Sequence, residues 1–155
     1  MRTVNQWLDE YGKSHRNETN KLIHWICVPA IFFSITGLLY FIKLPFHLNV
    51  NLQLNVAMIV LLLVVIYYLM LSIFLGFGML VFALFCMAIC FVIESYLPIS
   101  LWLFGAIVFL AAWIGQFFGH KVEGKKPSFF KDLQFLLIGP MWLMSFVYRK
   151  MGVKY

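Results

Sequence analysis

Charge is what this chain has least of. Of its 155 residues only 12% are charged, roughly half the ~25% of an ordinary soluble domain, while 63% are hydrophobic and the mean hydropathy is +0.91. A chain so composed cannot cover a water-facing surface, which excludes a soluble globular domain and implies an integral membrane protein. Cysteine is equally sparse: Cys27, Cys86 and Cys90 lie within apolar stretches, and their spacing matches neither a zinc ribbon nor a disulfide framework. They read as buried, inert thiols. A small-residue cleavage pattern is missing after the first apolar stretch, and Asp9, Glu10 and Glu18 precede it, so no removable signal peptide is expected. Internal repeats and low-complexity tracts are missing too, and one domain over residues 1–155 is the simplest organisation.

What is present is long apolar runs. A helix needs about 20 consecutive apolar residues to cross a bilayer, and the stretches 22–42, 54–75, 77–97 and 99–119 meet that length. A fifth, 133–148, is shorter and interrupted by Gly139-Pro140, and reads as a re-entrant or interfacial segment. The fold class that follows is all-α: a polytopic membrane helical bundle of four spans. Ahead of them, Thr3 and Gln6 form a capping box, Val4, Trp7, Leu8 and Tyr11 share one face, and Gly12 suits a C-terminal stop, which predicts a short amphipathic helix along the membrane surface.

The formal net charge of +6 raises nucleic acid as a partner, but the basic residues flank the apolar runs, where they meet anionic lipid headgroups and set topology. Nucleic-acid binding is discounted and membrane lipids are the expected partner. Arg2, Lys13, Arg16 and Lys21 lie before the first span, and Lys121, Lys125, Lys126 and Lys131 after the fourth, with little between beyond Lys43. By the positive-inside rule both groups are cytoplasmic, which demands an even number of crossings between them. His15, His24 and His120 then share one membrane face, and His47, in the loop KLPFHLNVNLQ, falls on the other.

Polar side chains near a bilayer are costly unless paired or bound, so they mark candidate sites. In the island YGKSHRNETNKLIHW, residues Asn17, Asn20 and His24 stand at i, i+3 and i+7 on a helix, and Pro29 follows, where a kink is expected. His15 is nine residues before His24, the opposite side of a continuous helix, and joins it only if the helix starts near Asn17 with Ser14 and His15 in the preceding turn. In the second island, GQFFGHKVEGKKP, the stripe Trp113, Gln116, His120 and Glu123 repeats the pattern, and Gly124 and Pro127 end the helix. Imidazole suits iron, zinc or copper, and a catalytic site needs about three protein ligands plus open positions. His15, His24 and His120 supply that number. His47 reads as an interfacial hydrogen-bonding residue, and Glu94 as either a proton carrier or a paired carboxylate.

At these two islands the sequence resembles the small integral-membrane 2-hydroxy fatty acid dioxygenases, the family named for metabolism of phytosphingosine to odd-numbered fatty acids. The likeness runs through both motifs and the hydropathy between them, and so covers nearly the whole chain. It implies an enzyme that uses iron(II), Fe(2+), with dioxygen as co-substrate to remove one carbon from a long-chain 2-hydroxy fatty acid. On that likeness His15, His24 and His120 bind the iron, and Asn20 and Glu123 orient ligands or position oxygen. Lys125, Lys126 and Lys131 either draw the substrate carboxylate to the site or anchor the membrane surface. The site would face the cytoplasm, from a bacterial inner membrane or from the endoplasmic reticulum of a eukaryote. The alternative class is a non-enzymatic small membrane protein, a metal or proton permease or a structural bundle. A permease should carry polar residues through the midplane, where these spans are nearly all apolar. Histidine-box di-iron desaturases need about eight histidines, and four cannot supply them.

Overall fold

A computed structural model describes residues 2–50, 52–124 and 129–155, the last stretch through residue 134 by its backbone alone. Among the described residues the chain forms six α-helices and one β-hairpin. Helix α1, Val4–Gly12, opens on the expected capping box: Gln6 N donates to Thr3 Oγ1, and Thr3 N to Gln6 Oε1. Its apolar face is not left to the membrane surface. Leu8 and Tyr11 are buried against Ile138, Met141 and Trp142 of the last helix, α6, Phe129–Lys150.

Helix α2, Glu18–Tyr40, starts where the sequence required. Asn17 is its N-cap, accepting from the backbone N–H groups of Thr19 and Asn20, and the chain turns between Gly12 and Asn17. The helix runs on through Pro29. Opposite it lies α5, Leu101–Val122. Leu101 sits beside Gly37, Gly105 beside Ser34, Gly115 beside Cys27 and Gly119 beside Asn20, so the two helices are antiparallel. They approach closely because small residues line the seam, as in membrane helix pairs: a Cβ at Gly115 would stand 2.7 Å from Cys27 Sγ, and one at Gly119 2.5 Å from Asn20 Oδ1. That seam brings the start of α2 to the end of α5, and so His24 to His120.

Two expectations change between these helices. The segment read as a loop is an antiparallel hairpin, β1 Lys43–Asn49 with β2 Leu52–Asn55, pairing Lys43 with Asn55 and His47 with Gln53. Its apolar residues Leu44, Phe46, Leu48, Val50, Leu52 and Leu54 alternate strictly, the period of a strand. Helix α3, Val56–Leu71, is therefore only 16 residues long, rising about 24 Å against a hydrocarbon core of about 30 Å. It ends at Ser72, whose extended backbone breaks the chain and whose hydroxyl caps α4, Ile73–Tyr96. Among the described residues three of the four expected spans, α2, α4 and α5, are helices long and apolar enough to cross a membrane, and the remaining one, α3, is a shorter apolar helix.

The C-terminal segment departs from expectation as well, since α6 continues through Gly139-Pro140 instead of breaking there. A proline removes one helix bond, and neighbouring helices can hold such a segment together. Here Tyr68 of α3 donates its hydroxyl to Leu137 O at 2.6 Å, and Tyr148 donates to Phe74 O of α4. Ile138, Met141 and Ser145 are fully buried, which makes α6 part of the core. At the hairpin end of the bundle, Glu94 is paired with Lys43 at 2.7 Å, the paired-carboxylate reading. Cys27, Cys86 and Cys90 are free and buried.

Candidate metal centre

The turn between α1 and α2 is built to present His15. Its backbone N–H bonds Gly12 O, its Nδ1 lies 2.8 Å from Tyr11 O, and its ring stacks on the Tyr11 ring at 4.2 Å and 11°. Nearly two turns into α2, His24 Nδ1 lies 2.9 Å from Asn20 O. A carbonyl oxygen can only accept, so in both rings Nδ1 carries the hydrogen and Nε2 the lone pair, the arrangement that orients metal-ligating histidines. Both side chains are almost completely buried, at 2% and 1% exposure. His120, in the last turn of α5, is half-buried and completes the group.

One ligand atom from each of the three lies within 4.8 Å of the others. The ring centroids are 4.2 Å apart for His15 and His24, 5.1 Å for His24 and His120, and 5.5 Å for His15 and His120. Three imidazoles that bring a ring nitrogen this close together are a donor set that fits a divalent transition metal with positions left open. His47 lies far off, exposed on the hairpin.

Glu123, the C-cap residue of α5, is not part of that group. Its carboxylate accepts from Arg16 N and Asn17 N, each at 2.9 Å, and from Asn20 Nδ2 at 3.1 Å. Asn20, fully buried, donates a second bond to Ser14 O at 3.3 Å. Through this net the end of α5 holds the start of α2 and the turn that carries His15. Burial pushes the Glu123 carboxyl up, but the N–H donors of Asn17, Arg16 and Asn20 together with the nearby His15 outweigh it and leave it below its ordinary value. Gly124 follows in the left-handed conformation, φ 71°, where the helix was expected to end. Lys121 is exposed; the candidate carboxylate attractors, Lys125, Lys126 and the Lys131 side chain, lie outside the described residues, as does Pro127.

Tyr11 is the residue that sequence reasoning missed. It appeared only as one apolar position of α1, yet it supplies both the ring beneath His15 and the carbonyl that fixes it. A cavity of about 300 Å³ opens from the three histidines into the bundle, walled by Val28, Ile31, Phe32 and Ile35 of α2 and Val60, Leu61 and Val64 of α3. Trp113 and Gln116, from the α5 stripe, also line it, and the buried indole N–H of Trp113 has no acceptor among the described residues.

Over residues 1–151 the sequence matches the family described as Mpo1-like, 2-hydroxy-palmitic acid dioxygenase Mpo1-like. The chain belongs to that family. No curated protein and no solved structure matches it. The Mpo1-like match spans both polar islands and every helix of the bundle, so His15, His24, His120, Asn20 and Glu123 all fall within it.

Proposed function

We propose that this Mpo1-like protein is a membrane-embedded, iron(II)-dependent dioxygenase that shortens long-chain 2-hydroxy fatty acids by one carbon. The observation that carries the reading is the junction of three converging imidazoles with a largely apolar cavity inside the bundle. A polar head and a long hydrocarbon tail match those two regions, and the family description names a substrate of that kind.

His15, His24 and His120 would hold the metal, and Asn20 and Glu123 would keep His24 and His15 in place through the bonds described above. Iron(II), when bound, supplies the one-electron chemistry that dioxygen needs to react with a closed-shell organic acid. The protein holds the head of the acid beside the three histidines, where Trp113 and Gln116 offer donors to its carboxylate or hydroxyl. The α2 and α3 side chains bury the tail and keep water from the reacting carbons. The carbon that bears the hydroxyl becomes the new carboxyl, the old carboxyl leaves as carbon dioxide, and one water completes the balance with one dioxygen.

Turnover should need the α-hydroxyl, the free carboxylate and a long chain together. Each CH₂ no longer buried costs about 0.8 kcal/mol, so a short 2-hydroxy acid binds weakly, and an unsubstituted acid lacks the hydroxyl-bearing carbon that becomes the new carboxyl. Membranes incubated with iron(II), labelled dioxygen and each acid should give the shortened, labelled product by mass spectrometry only from the long 2-hydroxy acids. Equal conversion of palmitate would remove the α-hydroxyl from the mechanism. No oxygen-dependent product from any acid would favour the non-enzymatic alternative.

The site faces the cytoplasm in this reading, supported by the basic residues around both islands. Single cysteines at Thr19 and Lys121, both exposed, should resist an impermeant thiol reagent added outside, whereas one at Asn49 should react. The native cysteines are buried and give little background. Labelling at Lys121 from outside would reverse the orientation.

A further inference from the structure

The cavity at the histidines follows α2 from His24 to Leu39, fifteen residues or roughly 22 Å of helix. Its deep end offers no polar recognition, because the one hydroxyl there, Thr36 Oγ1, donates to Phe32 O of its own helix at 2.9 Å. A second cavity of about 450 Å³ lies between α3 and α4, lined by Met58, Val65, Leu80, Leu84 and Met87 among others, and it is almost wholly apolar. One side chain lines both spaces. Leu61 of α3 is 9% exposed and packs with Val65 and Ala83 between them.

We propose that Leu61 is the floor of the acyl cavity and sets the longest chain that the site accepts. This rests on the function proposed above, and the occupant is the terminal methylenes of the same 2-hydroxy acid. In the native protein the tail runs from the histidines along α2 and stops against Leu61. Removing that side chain joins the two spaces and gives the tail a second apolar chamber. A larger side chain at the same place shortens the first one. The effect is graded, since each methylene transferred into an apolar space is worth about 0.8 kcal/mol, or roughly fourfold in affinity, and a two-carbon step roughly fifteenfold.

The test uses the full-length protein in detergent or membranes and a series of saturated 2-hydroxy acids from laurate to lignocerate length. Two readouts are taken for wild type, Leu61→Ala and Leu61→Trp: thermal stabilisation by each acid, and its conversion to the shortened product. The expected result is that Leu61→Ala moves the length limit upward and Leu61→Trp moves it downward, while both variants keep the wild-type circular dichroism and size-exclusion behaviour, which shows that they are folded. Length profiles that coincide for the three proteins would overturn the proposal. Binding limits that shift without any turnover would uphold Leu61 as the floor and sink the dioxygenase reading instead. Turnover by wild type with unmoved limits in both variants would do the reverse.

Discussion

Alanine at His15, His24 or His120, one at a time, leaves a protein without measurable conversion of any 2-hydroxy acid and with bound iron reduced by far more than the roughly 10–100-fold that loss of an outer hydrogen-bond partner costs. The expectation follows from the count of donors: three is about the minimum for a catalytic site with open positions, so no spare ligand compensates. The three substitutions differ in their structural cost. His15 stacks on Tyr11 and lies 5.5 Å from the Trp142 ring, so its removal loosens the α1–α6 packing as well as the donor set. His120 is only half-buried, and its variant isolates ligand loss most cleanly. His47→Ala, on the exposed hairpin, should keep full iron and full turnover. Iron is measured on anaerobically purified protein alongside turnover and size-exclusion behaviour. Any of the three variants that retained both iron and activity would remove its histidine from the site.

The site was legible in the sequence because its parts obey local rules. Asn17, Asn20 and His24 share a helical stripe, and Asn17 is a good N-cap, so the chain itself stated where α2 must begin for His15 to reach His24. That His120 lies close by required more than local reasoning. It followed from counting crossings by charge, and the antiparallel seam of α2 and α5 realises it in the bundle. The fold was legible less completely, for physical reasons that differ by segment. The hairpin hid because hydropathy averages erase an alternating pattern, leaving 43–55 as an amphipathic gap. The end of α3 was placed too late because one serine among apolar residues scarcely changes a hydropathy window, though its hydroxyl ends one helix and caps the next. Pro140 suggested a break that α6 does not make, and what holds that helix comes from elsewhere in the chain: the Tyr68 hydroxyl and the buried face against α1. The role of Tyr11 has the same origin. Its ring meets His15 through a turn whose path no helical periodicity describes.

Glu123→Ala should weaken metal binding by about 10–100-fold without removing a ligand. Its carboxylate gathers the backbone N–H groups of Arg16 and Asn17 and the Asn20 side-chain amide, which also donates to Ser14 O, while the Asn20 backbone carbonyl accepts from His24 Nδ1. Without it, the first N–H groups of the turn into α2 lose their acceptor, and two of the three histidines lose their fixed placement. A bond to a charged acceptor is worth about 1.5–3 kcal/mol, less where water competes, and Glu123 is partly exposed. The expected loss of stability is therefore about 1–2 kcal/mol, seen as a lower Tm in detergent. Glu123→Gln keeps the shape and one acceptor oxygen and should recover only part of the metal affinity, whereas a merely bulky role predicts full recovery. A pH series in metal-free protein separates the charge from the shape. Because the folded carboxyl sits below its ordinary value, its stabilisation is complete above about pH 5 and is lost as pH falls through the folded value. The Tm gap between wild type and Glu123→Gln should thus hold steady from neutral pH to about 5 and close below it. The absence of a gap at neutral pH would mean that Glu123 acts by its shape alone, and a gap that stayed constant at low pH would mean that its charge is not what stabilises the turn.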